Sequence, residues 1–222
     1  MEGILGQLDG EETRGDALAL IIDPQSTEPA NIYKLLIGAI VPRPIAFVST
    51  VSTEGIRNLA AFSFFTAISA NPPAICFSPM VRGSDSAQKD TLRNVAATRE
   101  FVVNIVSEDF AAKMNLTAPE FPPEIDEFVV SGLTPTPSDL VRAPRVAESR
   151  VSMECKLIEI VSVSAKPLGG SLVIGEVIRF HVDDSVMQNF RIDPDKLQAV
   201  GRMAGNSYVR TTDRFEMVRP KF

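Results

Sequence analysis

The chain has 222 residues, 45% hydrophobic and 23% charged, as expected of a soluble globular protein with a substantial core. Its formal net charge of −6 argues against non-specific binding to nucleic acid, so a phosphate-bearing ligand would need a local basic cluster. Cys76 and Cys155 lie far apart in apolar runs, so buried thiols are expected rather than a disulfide framework.

In chain order, residues 1–30 read as a loosely ordered acidic arm whose one apolar patch, "ALALII", docks on the body. The arm lacks the apolar stretch of a signal peptide, and no apolar run is long enough to span a bilayer, so a cytoplasmic location is expected. Residues 31–222 show no linker composition and read as one domain. "PIAFVSTV" (44–51) is a strand, "STEG" a turn, and "NLAAFSFFTAIS" (58–69) the next strand, the pair forming a hairpin. In such a strand Phe62 and Phe64 share one face, and Ser63 and Phe65 the other. "AICFSP" and "EFVVNIV" read as central strands.

"DTLRNVAATRE" predicts a helix capped by Asp90 or Thr91, and "SEDFAAKMNLTA" a second helix opened by Ser107. "APEFPPEIDEF" and "TPTPSDLVRAPR" read as irregular surface loops. In "SMECKLIEIVSVSA" the polar residues Lys156, Glu159 and Ser162 fall three apart, so the two-residue period slips twice and predicts a bulge or strong curvature. "SLVIGEVIRFHV" follows the turn "KPLGG", and Glu176 on its apolar face calls for a partner across a subunit interface. "DPDKLQAVGRM" is a third short helix. Five or six short strands with Gly/Pro breaks make the chain mainly β, a closed or partly closed barrel with a few peripheral helices.

Several chemistries are missing. No GxGxxG follows a strand, and no GxxxxGK[ST] or GxSxG occurs. One histidine and two cysteines cannot build an ordinary transition-metal site from soft ligands. His181 reads as a strand histidine paired with a nearby carboxylate; the competing readings are a catalytic role or a part in nicotinamide binding. The positive signal is "SPMVRGSDSAQKDTLRN" (78–94), where a strand ends, a Gly/Ser loop follows and a helix opens. Free backbone N–H groups, Arg82, Lys89 and the hydroxyls of Ser84, Ser86 and Thr91 suit an oxyanion such as phosphate. The plainer alternative is a capped helix after a solvated loop, and Asp90 opposes direct phosphate contact unless it faces away. Likewise, 58–69 offers either an aromatic face with hydroxyls for a flat ligand or an ordinary core strand.

Taken together, "IVPRPIAFVSTVSTEGIRNLAAFSFFTAISANPPAICFSP", "KDTLRN", "EFVVNIVSE" and "GRMAGNSY" resemble, in order, the flavin reductase-like, FMN-binding split-barrel proteins, which include flavoredoxin-type electron carriers. The resemblance implies a homodimeric split β-barrel that binds FMN near the subunit interface. NAD(P)H would be its electron donor, and a monooxygenase or redox protein its partner. By motif position it places the ring and ribityl chain against Ser63, Phe64, Phe65 and Thr66, and the phosphate near Ser78, Arg82, Lys89 and Thr91. It sends Arg43 to the flavin or the partner subunit and makes Arg202 and Tyr208 close the site. The sequence departs from the pattern at Ala61, where proline is expected, and at Thr66, where asparagine is frequent. The implied activity is hydride transfer from NAD(P)H to flavin, carried by the flavin without a protein acid or base. The alternatives are an FMN electron carrier reduced by a protein, and a barrel that binds a ligand other than flavin.

Overall fold

The computed structural model describes residues 19–82 and 87–221. Residues 1–18 of the arm, with Ser84 and Ser86, lie outside the described residues. Seven strands build one antiparallel sheet: β1 (Ala46–Val51), β2 (Arg57–Phe62), β3 (Phe65–Ala70), β4 (Pro73–Phe77), β5 (Glu100–Ile105), β6 (Val151–Ser162) and β7 (Ser171–Val182). Their order is β2-β1-β5-β6-β7-β4-β3. Among the described residues there are five helices: α1 (Pro29–Ala39) before β1, α2 (Asp90–Thr98) between β4 and β5, α3 (Glu108–Asn115) and α4 (Glu127–Ser131) between β5 and β6, and α5 (Pro194–Leu197) after β7. The mainly β split barrel expected from the sequence is the observed architecture.

One expectation fails instructively. Residues 58–69 are not a single strand: β2 ends at Phe62 and β3 begins at Phe65. Phe62 packs in the core against Phe77, ring centroids 5.1 Å apart, and Phe77 in turn meets Phe101 at 5.4 Å. Phe65 packs against the same cluster. Residues three apart cannot share one face of a regular strand, so the chain breaks to bring both rings inward. The break turns Phe64 the other way, to Tyr33 of α1 at 6.5 Å. The backbone N–H of Ser78 donates to the Phe64 carbonyl at 2.8 Å and holds the corner.

The slips read in 152–165 are real. The register between β6 and β7 shifts at Glu154/Cys155 and again at Leu157/Glu159. The helix read at 90–100 is α2, but its N-cap is Lys89, which makes no side-chain cap bond. Ser107 is the N-cap of α3, again without a side-chain cap bond. The loop read at 118–128 ends in the short α4, with Glu127 and Phe128 buried. The chain is helical from Pro29, before the expected end of the arm, and Leu20 and Ile21 of "ALALII" stay exposed on this chain. Among the described residues no helix is long and apolar enough to cross a membrane.

Gly175 lies on β7 opposite Leu157, where a Cβ would overlap the Phe101 ring. We expect Gly175→Ala to lower unfolding free energy by about 1–3 kcal/mol through overpacking, read from urea denaturation. An unchanged midpoint would show that the ring moves aside freely.

Candidate functional site

A cavity of about 460 Å³ lies between β2, the start of α2 and the segment that follows α3, with Arg202, Asn206 and Tyr208 also on its wall. Its size falls within the ~300–1,000 Å³ usual for ligand pockets. β2 contributes Asn58, whose buried amide donates to Thr91 Oγ1 at 2.9 Å and fixes α2 against the strand. Because Lys89 has no side-chain oxygen to cap with, the first turn of α2 meets the cavity without a side-chain acceptor from its N-cap.

The charges at this end are already arranged. Arg82 meets Asp90 at 3.1 Å, both side chains largely buried. Asp90 also pairs with Arg93, on the exposed side of α2. Lys89 meets Glu120 at 3.3 Å, with about a third of each side chain exposed (31% and 35%), so that pair is weak and easily exchanged. Glu127 lines the cavity and accepts from the Leu59 backbone N–H at 3.0 Å. Burial pushes its carboxyl above the ordinary range despite that bond, and neighbouring Asp126 adds to the effect. Also on the wall, the Arg202 guanidinium lies over the Tyr208 ring, 4.6 Å from its centre.

Ser63, Arg82, Lys89, Thr91, Arg202 and Tyr208, all expected at the site, are brought to this one cavity. The others line no part of it. Phe64 faces Tyr33, and Phe65 joins the core edge. Thr66 is exposed on β3, and Ser78 stands beside Gly170. Arg43 is buried outside the cavity; its Nε donates to Ser63 at 3.2 Å and its backbone pairs with that of Arg202, both cavity residues. The sequence reading missed Asn58, Asn115, Thr117 and Glu127. Asn58 had a signal, a polar residue at the head of an otherwise apolar strand; Thr117 closes the segment read as the second helix, and Glu127 sits in one read as an irregular loop.

The flavin reductase like domain family matches residues 38–214. The chain belongs to that family. An uncharacterized protein of Aquifex aeolicus is 43% identical over 187 residues, which is 84% of this chain and 93% of the relative. Among solved structures, nitrilotriacetate monooxygenase component B from Bacillus cereus superposes with a TM-score of 0.85 at 37% identity, covering 90% of this chain and 98% of that one. The 2-nitrobenzoate 2-nitroreductase of Pseudomonas fluorescens gives a TM-score of 0.82 at 32% identity, covering 91% of this chain and 98% of that one. The motif resemblance and the split-barrel fold therefore agree with the comparisons.

His181 has no place in this flavin reductase-like cavity. Its Nε2 lies 2.5 Å from Glu154 Oε1, so the paired-histidine reading holds, though its partner is on β6 and not the adjacent Asp183 or Asp184. Glu154 is fully buried and also accepts the backbone N–H groups of Asp139, Leu140 and Val141 at 2.8, 2.6 and 3.1 Å. The loop at 134–145 is thereby tied to the barrel. Burial pushes the Glu154 carboxyl up, but the N–H donors and His181 outweigh it and leave the group below its ordinary range. A depressed carboxyl contributes stability above its unfolded pKa, and that contribution is lost as pH falls through the folded value. Glu154→Gln should therefore cost about 1.5–3 kcal/mol at pH 7 and flatten the acid limb of the stability profile. Denaturant titrations from pH 7 down to 3 check this, and an unchanged acid limb would assign the pH dependence to other groups.

Proposed function

We propose that this flavin reductase-like chain binds FMN in the cavity and passes a hydride to it from NADH or NADPH. The observation that carries the reading is that Arg82, Lys89 and Thr91, at a helix start without a side-chain cap, share one cavity with Ser63 from the β2–β3 corner. The residues fit the group: cations and N–H donors at one end suit a phosphate, and mixed apolar and hydroxyl walls suit a flat ring. When bound, flavin supplies the redox chemistry by accepting hydride at N5.

The chain's own residues hold and orient. Arg82 is kept in place by Asp90, and Thr91 by Asn58, so both are preorganised. Lys89 gives up Glu120 for the phosphate, exchanging a weak exposed pair for a doubly charged partner. Glu127, its pKa raised by burial, is held at the cavity wall by the Leu59 N–H. Arg202 and Tyr208 line the cavity as a stacked pair.

The assembly is a homodimer in this reading, in the cytoplasm. Support comes from the outer face of β6 and β7, where Val161 is exposed beside half-buried Leu172, Ile174 and Ile178. Glu176 stands on this face opposite Lys156. Likeness to a protein named as a monooxygenase component supports a monooxygenase as the partner that uses the reduced flavin.

Purified protein titrated with FMN should bind it, and NADH or NADPH should bleach the complex anaerobically. A complex bleached by dithionite but by neither nucleotide is the electron carrier, and absence of FMN binding ends the flavin reading. Arg82→Ala with Lys89→Ala should weaken FMN by about 1.5–3 kcal/mol for each lost charge-assisted contact, measured by flavin fluorescence. In sedimentation, Val161→Glu should shift a dimer toward monomer; an unaffected dimer would place the interface on another face.

A further inference from the structure

Arg43 has bonds whose direction is chemically forced. It is 4% exposed and donates to the carbonyls of Ile37 at 2.7 Å, Ile40 at 2.8 Å and Met203 at 3.0 Å, as well as to Ser63 Oγ. A guanidinium has donors and no acceptor, so Ser63 Oγ must accept in this pair. The hydroxyl's single proton therefore points away from Arg43. Among the described residues no protein group receives it, and Ser63 lines the cavity.

Among the described residues no carboxylate pairs with Arg43. Its acceptors are backbone carbonyls and one hydroxyl, two of the carbonyls coming from the C-terminal end of α1. The helix end offsets part of the charge, and the remainder polarises the Ser63 O–H and strengthens it as a donor. A lysine could not reproduce this arrangement, because one ammonium cannot span the planar fork that reaches Ile37, Met203 and Ser63 together.

We propose that Arg43 is a positioning residue that fixes Ser63 as a hydrogen-bond donor into the cavity, selecting a ligand with an acceptor atom at that point. With FMN as ligand the inference rests on the function proposed above; the polarity of Ser63 does not depend on the ligand's name.

A double-mutant cycle on FMN affinity, read by flavin fluorescence, tests it. Ser63→Ala should weaken binding roughly three- to tenfold and shift the flavin absorbance, while Ser63→Thr, which keeps the hydroxyl, should restore both. Arg43→Lys should give a similar loss, with no further loss in the Ser63→Ala background. Equal losses from Arg43→Lys in both backgrounds would overturn the proposal. Should Arg43→Lys not fold, the Ser63→Ala and Ser63→Thr comparison is read with a neutron structure of the ligand-free wild type. A Ser63 deuteron directed into the cavity supports the assignment, and one directed at a backbone carbonyl refutes it. Failure of the wild type to bind FMN would sink the flavin reading alone, because the neutron result still decides this one.

Discussion

The structure depends on a two-residue connection. Ser63 and Phe64 join β2 to β3, which lie at opposite edges of one seven-stranded sheet. Laid flat, six inter-strand spacings of about 4.8 Å would hold those edges roughly 29 Å apart. Two residues of extended chain reach only about 7 Å. The sheet must therefore curl until its edges meet, and the two register shifts between β6 and β7 supply the local twist that lets long strands bend. Closure and site formation are one event, because the residue at the seam, Ser63, is also a cavity residue.

Arginines in and around the site are held in two ways that serve different ends. Arg82 faces a carboxylate that fixes its position while reducing its net charge. Arg43 has neutral partners and is buried, which is costly unless its donors are satisfied; three carbonyls and a hydroxyl do this. By bonding the carbonyls of Ile37 and Ile40 it also closes the end of α1, and through Met203 it ties in the segment that carries Arg202. Removal of Arg43 would thus loosen three pieces of chain around the seam. Preorganisation of this kind matters more to a binding site than the number of charges it displays.

Much of this was legible in the sequence, for physical reasons that can be traced. β4 and β5 are short apolar runs between clear breakers, and the double slip in β6 showed in the three-residue spacing of Lys156, Glu159 and Ser162. The basic loop before α2 announced itself through Arg82 and Lys89. What stayed hidden depends on tertiary packing. The break after Phe62 follows from two rings competing for one core, and local propensity in "FSFFT" gives no hint of it. α1 has no buried residue on this chain, so its sequence lacks the one-sided pattern that identifies a packed helix. Glu127 looks like one acid among several in "EIDEF", and only the fold turns it inward against Leu59.

The composition of the cavity limits what the protein can do there. Neither cysteine nor the single histidine lines it, and His181 is held elsewhere by Glu154. Burial pushes both thiols up, and the Glu154 charge adds to this for Cys155, so neither is poised as a nucleophile. The lining residues that remain are hydroxyls, amides, cations, the carboxyls of Asp90, Glu120 and Glu127, and apolar side chains. Such a set can position an anionic ligand and donate hydrogen bonds to it. In the function proposed above, the reactive atoms come from what is bound. That division of labour suits a chain of the flavin reductase like family, where the protein contributes orientation and charge and the ligand contributes the electrons.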